Sequence, residues 1–252
     1  MTSETYYLLL YIWIAIAVIM FPLLLKVTAP YGRHSRKDWG PMIPNKMAWI
    51  VMELPALILF VIFFWYGTNI QNYITVIFFL LYAMHYINRA LIFPFRTHTS
   101  NKRMPLIIAV FAIVFNLVNG SFNGYYFGSI SGEYGLNWLY DIRFIAGSIL
   151  FLVGAYINLS SDHILLSLRK KNSKGYTIPS GGFFRYVSCP NFFGEILEWT
   201  GFAIMTWSPA ALAFVIWTIV NLIPRAMDHH RWYRKKFDHY PSARKALIPY
   251  IL

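Results

Sequence analysis

Two stretches of this chain put groups capable of chemistry where lipid-facing residues are expected. In the first, Asn158 and Asp162 stand at i, i+4, and Asn191, Glu195 and Glu198 at i, i+4, i+7. Helical spacing puts each set on one face. Carboxylates and amides on a greasy helix are costly in lipid and need a partner. Between them lies a basic, glycine-rich segment carrying Arg169, Lys170, Lys171, Gly175, Gly181 and Gly182. A polar ligand at the inner membrane edge would satisfy both the faces and the segment. In the second stretch, Glu53 sits in Trp49–Pro55 and Tyr86 just before Arg89. At about 1.5 Å per residue, Glu53 lies roughly 10 Å beyond Lys46, and Tyr86 roughly 5–15 Å in from the same side. A neutral Glu and a Tyr hydroxyl on neighbouring antiparallel helices can both donate hydrogen bonds to one carbonyl oxygen. Intramembrane ionisable residues are functional by default.

These groups need apolar helices to hold them. Of the 252 residues, 58% are hydrophobic and only 13% charged, about half the charged fraction of a soluble domain. The apolar residues fall in long runs, so the chain reads as an all-α integral membrane protein, a single domain over 1–252. Seven transmembrane helices are expected, over 6–25, 47–66, 73–93, 104–120, 142–166, 190–207 and 209–225, each near the ~20 residues that span a bilayer. The sixth is the shortest. Trp207-Ser208-Pro209 turns it into the seventh as a tight hairpin. Lys and Arg concentrate in 26–46, 89–103, 167–189 and the tail from Arg225 onward, whereas 67–72, 121–141 and Ser208 carry none; only Arg143 lies elsewhere. By the positive-inside rule the N-terminus is outside and the C-terminus cytoplasmic. Segment 121–141, rich in Gly, Ser, Asn and Tyr, is expected to be an outer loop.

Other classes are excluded by pattern. The +12 formal charge does not indicate nucleic acid, because the charges sit between hydrophobic runs rather than along one face. Cys189 is the only cysteine, so no internal disulfide forms. The first apolar run lacks a basic leader and a small-residue cleavage site, so no cleavable signal peptide is expected. Arg225, His229 and Tyr233, at i, i+4, i+8, continue one face of the last helix as it leaves the membrane. Asp228-His229-His230 does not make a metal site: the spacing, the lack of cysteine and the adjacent arginine argue against zinc. No dinucleotide fingerprint or P-loop occurs, so a nucleotide would rest on the polar helix faces, with arginines on its phosphates.

Taken together, the residues resemble the steroid 5α-reductase family. The resemblance rests on Tyr176-x-Ile178-Pro179-x-Gly181-Gly182, Asn191-Phe-x-Gly194-Glu195-x-x-Glu198-Trp199, Arg225-Ala-x-x-His229-His230-Arg231-x-Tyr233, and the ending Tyr240-Pro241-x-x-Arg244-Lys245-Ala246-Leu247-Ile248-Pro249. Upstream it includes Tyr31-Gly32, Glu53-Leu54-Pro55 and His85-Tyr86-x-x-Arg89. It implies a seven-helix enzyme that uses NADPH to reduce the double bond of a 3-oxo-Δ4-steroid. It also implies substrate-side helices over 1–120 and a cofactor-binding part over 142–252. Glu53 and Tyr86 would be the catalytic pair on the substrate carbonyl, with Trp49 facing the steroid. Asn158, Asp162, Arg169, Tyr176, Asn191, Glu195, Arg225, His229 and Tyr233, together with Tyr31, would contact the cofactor; no metal is implied. Met52 stands where steroid-reducing relatives often have Gln, which bears on the substrate. Thr177 stands where they often have Arg, which bears on one phosphate contact.

Within reductases, a trans-2-enoyl thioester or a polyprenol is the alternative substrate. Membrane methyltransferases that use S-adenosylmethionine share a motif like Arg185-Tyr186-x-x-x-Pro190-Asn191-x-x-Gly194-Glu195, but typically read Arg-His-Pro where this chain has Arg185-Tyr186-Val187. A seven-helix receptor would share the topology and leave the polar faces unexplained. The expected partners are a sterol-like lipid and the bilayer, with no nucleic acid and no obligate protein. Short loops point to a bacterial inner membrane; in a eukaryote the location would be the endoplasmic reticulum.

Overall fold

The computed structural model describes residues 1–69, 72–97, 102–171 and 175–252. Lys174 and the side chains of Lys170 and Lys171, which count toward the charge pattern, lie outside the described residues. The helices are α1 (Ser3–Lys26), α2 (Asn45–Trp65), α3 (Tyr73–Ile87), α4 (Phe93–Arg96), α5 (Leu106–Tyr125), α6 (Ile142–Lys171), α7 (Pro190–Thr206) and α8 (Pro209–Lys236). A short antiparallel ribbon pairs β1 (Met42–Pro44) with β2 (Arg103–Pro105), Ile43 opposite Met104. Among the described residues six helical stretches are long and apolar enough to cross a membrane: Ser3–Lys26, Asn45–Trp65, Tyr73–Arg96, Leu106–Ile130, Ile142–Arg169 and Pro209–Lys236. The expected sixth span, α7, has 17 residues. Exposed side chains such as Leu8, Ile12, Ile19 and Leu23 on α1, and Ile149, Leu152 and Tyr156 on α6, suit hydrocarbon rather than water. The protein is an all-α integral membrane protein.

Segment 121–141 differs from its expectation. α5 runs through Tyr125 and continues as a wider π turn over Tyr126–Ile130, closed by Ser131 N donating to the Tyr126 carbonyl at 2.7 Å. Only the part from Ser131 onward is non-helical before a short 3-10 turn at Leu136–Tyr140. Gly124, one of the glycines that suggested a loop, is a packing residue, as is Gly120 one turn before it, whereas a Cβ on Gly132 or Gly135 would meet nothing within 4 Å. A Cβ on Gly120 would lie 2.5 Å from the Ala56 carbonyl oxygen, and one on Gly124 2.7 Å from that of Phe60. Small residues at i, i+4 let membrane helices approach backbone to backbone.

The chain forms two compact units. The first comprises Met1–Tyr11, Ala29–Phe144 and Ser208–Ala211. Its core is aromatic: Phe60 stacks on Tyr82 with ring centroids 3.9 Å apart, and Phe78 and Phe127 are fully buried beside them. α3 is started by Asn72, whose Oδ1 accepts from the N–H of Ile74 and Thr75 at 3.0 and 3.1 Å, satisfying donors that a helix N-terminus leaves open. Its far end widens into a π turn over Asn88–Ile92 before Pro94. The proline ring would clash with the carbonyl four residues back in a regular helix, and an extra residue in the turn relieves that clash.

The second unit comprises Ile12–Thr28, Ile145–Trp207 and Leu212–Leu252. Here α6 and α7 cross on glycines from both sides. A Cβ on Gly154 would lie 2.2 Å from the Glu198 nitrogen, and one on Gly194 2.4 Å from the Asn158 nitrogen. The loop before α7 is bound to the last residues of the chain. Ser188 N donates to the Lys245 carbonyl at 2.8 Å, Cys189 N to that of Ala246 at 3.1 Å, and Lys245 N to that of Tyr186 at 2.9 Å. Buried Arg244 donates from Nη1 to the Pro179 carbonyl at 3.0 Å. Ser188 Oγ lies 2.6 Å from both His230 Nδ1 and the Tyr240 hydroxyl, adding α8 to the same clasp.

Candidate functional site

In the first unit, α2 carries Trp49 and Glu53 one turn apart, and α3 carries Tyr82 and Tyr86 one turn apart. Glu53 is half-buried, and Tyr86 is buried at 3% exposure. Both are hydrogen-bonded by α5. Asn116 Nδ2 donates to Glu53 Oε2 at 3.2 Å and to the Met52 backbone carbonyl at 2.5 Å. Asn119 Nδ2 donates to the Tyr82 and Tyr86 hydroxyl oxygens, each at 3.1 Å. The rings of Tyr82 and Tyr86 lie 4.8 Å apart. Trp49 meets the Arg89 guanidinium 5.1 Å from its ring centroid, and its ring lies edge-on to Phe93 at 5.5 Å. Tyr31 also belongs to this unit, packed on the cluster of Ala48, Met52, Met104 and Ala109.

The asparagines are residues that reading the sequence missed. Asn116, Asn119 and Asn123 stand at i, i+3, i+7 in an otherwise apolar helix and are buried at 4%, 3% and 1% exposure. Intramembrane amides at helical spacing are the signal that would have found them. Ending the helix at residue 120 cut the pattern.

In the second unit the glycine crossing brings three of the expected cofactor residues together. Asn158 Nδ2 donates to the Asn191 carbonyl at 2.9 Å, and Asn191 Nδ2 donates to Asp162 Oδ1 at 3.1 Å. Arg169 follows seven residues after Asp162 on the same face of α6,. Glu195 is half-buried one turn beyond Asn191, while Glu198 is buried at 4% exposure. Along α8, Arg225, His229 and Tyr233 occupy successive turns of one face,. His229 stacks on Phe192 of α7 with centroids 5.7 Å apart, and Tyr233 stacks on Tyr240 at 5.3 Å. Tyr176, at the edge of exposure, lies against Trp232 with centroids 5.0 Å apart. Asp228 is bonded by Arg231. Among the described residues no three His, Cys, Asp or Glu side chains gather as metal ligands.

The donor set of this unit suits a dinucleotide. Amides and carboxylates at the α6–α7 crossing match hydroxyl and carboxamide groups, and Arg225 and Arg169 match phosphates. The substrate candidates Trp49, Glu53 and Tyr86 all lie in the first unit. The cofactor candidates other than Tyr31 all lie in the second.

A helical membrane protein with a half-buried acid and a buried tyrosine bonded by one helix, and a second polar set of this kind, has the makings of a lipid-transforming enzyme. Comparison with known proteins makes the class specific. The family model for 3-oxo-5-alpha-steroid 4-dehydrogenase matches residues 102–252. The chain is 43% identical over 230 residues to steroid 5-alpha-reductase DET2 of Arabidopsis thaliana, covering 88% of this chain and 87% of the relative. It is 38% identical over 249 residues to 3-oxo-5-alpha-steroid 4-dehydrogenase 1 of Bos taurus, covering 97% and 96%. With the Homo sapiens protein of that name it shares 38% over 247 residues, covering 96% and 94%. The chain belongs to the steroid 5α-reductase family, and is an oxidoreductase acting on CH–CH bonds.

Proposed function

We propose that this enzyme reduces the C4–C5 double bond of 3-oxo-Δ4-steroids to 5α-3-oxosteroids, with NADPH as reductant. The observation that carries this reading is the pair of bonds from Asn116 to Glu53 and from Asn119 to Tyr86, made by buried amides three residues apart on α5. They hold an acid and a phenol within the apolar bundle, as a ketone substrate requires. NADPH, when bound, supplies the hydride that adds to the β-carbon of the enone. Negative charge then develops on the carbonyl oxygen. Glu53 and Tyr86 donate to that oxygen and stabilise the enolate as an oxyanion hole does. A proton returns at the α-carbon, from Tyr86 or from water. Trp49 lines the steroid, and the surrounding apolar side chains exclude water. Asn158, Asp162, Arg169, Tyr176, Asn191, Glu195, Arg225, His229 and Tyr233 would hold the cofactor, with the arginines on its phosphates; Tyr31 would be an additional contact.

We also propose that α7 crosses as a seventh span, with the N-terminus outside and the cofactor residues facing the cytoplasm. In a bacterium the membrane is the inner membrane; in a eukaryote it is that of the endoplasmic reticulum, again with the cofactor residues on the cytoplasmic face. The alternation of basic connections supports this orientation. Arg143, the cation off the pattern, is neutralised at the start of α6: it donates to Asp141 from Nε at 2.9 Å and from Nη2 at 2.8 Å. These bonds hold the Asp141 carboxyl down at about 2.

The test is turnover by the purified full chain in detergent or liposomes, with NADPH and a 3-oxo-Δ4-steroid. The expected product has gained two hydrogens and is the 5α isomer by chromatography. No steroid reduction, alongside reduction of a trans-2-enoyl thioester under the same conditions, would overturn the substrate assignment.

A further inference from the structure

An amide side chain offers hydrogens from one end and lone pairs from the other, so its orientation decides what its neighbours can do. In α5 that orientation is fixed by backbone carbonyls, which cannot turn. Asn123 Nδ2 donates to the Asn119 backbone carbonyl at 3.1 Å and to Asn119 Oδ1 at 3.0 Å. Its nitrogen must face the backbone oxygen, so Asn119 must present Oδ1 to Asn123 and Nδ2 to the tyrosines. The same logic holds for Asn116, whose nitrogen faces the Met52 carbonyl and therefore faces Glu53 as a donor.

The consequence for the phenols follows from counting lone pairs. Asn119 gives one amide hydrogen to the Tyr82 oxygen and one to the Tyr86 oxygen. The Tyr86 oxygen has thus accepted an amide hydrogen, and what it offers to a substrate oxygen is its own hydrogen. Hydrogen bonds in such a chain polarise one another, so a phenol that accepts is a stronger donor. On Glu53, Asn116 donates to Oε2, so a hydrogen that the carboxyl offers to a substrate carbonyl sits on Oε1. Asn123 is tied to the network through its nitrogen, while its own Oδ1 is buried without a hydrogen-bond partner. The amide keeps this orientation despite the unmet acceptor, because a flip would set Oδ1 against the two Asn119 oxygens.

We propose that Asn116 and Asn119 are positioning residues that set the donor polarity of Glu53 and Tyr86, with Asn123 locking Asn119 in place. This rests on the reading of Glu53 and Tyr86 as the pair that binds the substrate carbonyl.

The experiment is a mutant cycle on the full chain, reading kcat, steroid KM and NADPH affinity separately. Asn119→Leu keeps the volume and removes the amide. It should lower kcat about tenfold, the loss expected for one hydrogen bond to a group that becomes charged. Steroid KM and NADPH affinity should move less than about twofold, because the bond matters most as the oxyanion forms. In a Tyr86→Phe background the same substitution should cost nothing further, since the oxygen it acts on is gone. A full kcat in Asn119→Leu, or an equal loss on the Tyr86→Phe background, would overturn the positioning role while leaving the catalytic pair intact. A Tyr86→Phe enzyme as fast as the parent would instead overturn the catalytic reading, and this proposal with it. Should Asn119→Leu fail to fold, Asn123→Leu decides. It removes an unmet acceptor and releases the Asn119 amide, so kcat should fall about threefold in the parent and not in Tyr86→Phe. An unchanged parent kcat there would refute the lock.

Discussion

Replacing Gly194 by alanine separates the helices that hold the cofactor candidates. The added methyl would sit 2.4 Å from the Asn158 nitrogen and 2.7 Å from the Gly154 carbonyl oxygen, both backbone atoms that cannot rotate away. Ordinary van der Waals contact begins near 3.4 Å, so α6 and α7 must part by about 1 Å at that point. The bond from Asn158 to the Asn191 carbonyl, now 2.9 Å, would stretch to about 3.9 Å, beyond hydrogen-bonding range. The bond from Asn191 to Asp162 would go with it. Two buried bonds at about 1 kcal/mol each and overpacking at ~1–3 kcal/mol give a destabilisation of about 3–5 kcal/mol. Thermal unfolding in detergent should fall clearly, and titrated NADPH affinity should drop at least tenfold in whatever protein survives. Gly135→Ala is the control, since its Cβ meets nothing within 4 Å and its φ of −67° suits alanine. Parental stability and NADPH affinity in Gly194→Ala would show that the two helices do not meet on this glycine.

Tyr86→Phe should lower kcat by ~10²–10³, the scale for losing one oxyanion donor, with NADPH affinity unchanged; turnover is followed by loss of nicotinamide absorbance. Glu53→Gln should be milder than Glu53→Ala, because it keeps a donor at nearly the same volume, and steady-state kcat for the two checks this ordering. Arg225→Ala should weaken NADPH by ~1.5–3 kcal/mol, as for loss of a charge-assisted bond; an unchanged titration in detergent removes Arg225 from the site. For topology, a cysteine at position 135 should react with an impermeant reagent from outside and one at 175 should not. Native Cys189 is buried at 3% exposure and should give no background, and the reverse labelling would invert the orientation.

The helices were legible because lipid asks for long apolar runs and little else. Glu53 and Tyr86 stood out for the same reason. The continuation of the last helix through Arg225, His229 and Tyr233 was legible from spacing, and α8 runs unbroken to Lys236. What misled was a rule learned from water. Gly124, in the Gly-, Ser- and Asn-rich stretch after residue 120, suggests a turn by composition, yet in a membrane helix it is where a second backbone fits. Ending α5 there hid Asn123 and with it the order of the amides. Asn116 and Asn119 lay inside the expected span, but neutral amides carry no charge to draw notice. The π turn at Asn88–Ile92 depends on how Pro94 is accommodated in three dimensions, which no local pattern encodes.

The clasp between Ser188 and Lys245 also has a meaning in time. The two residues are 57 positions apart, so a ribosome adding roughly 5–20 residues per second takes about 3–11 seconds to travel between them. Through that interval the loop bearing Tyr176 to Pro179 has been made, while Arg244 and the backbone that will hold it have not. Its final shape is therefore a late event in biosynthesis. A message cut short before Arg244 would yield a chain with every apolar helix in place and that loop unfastened.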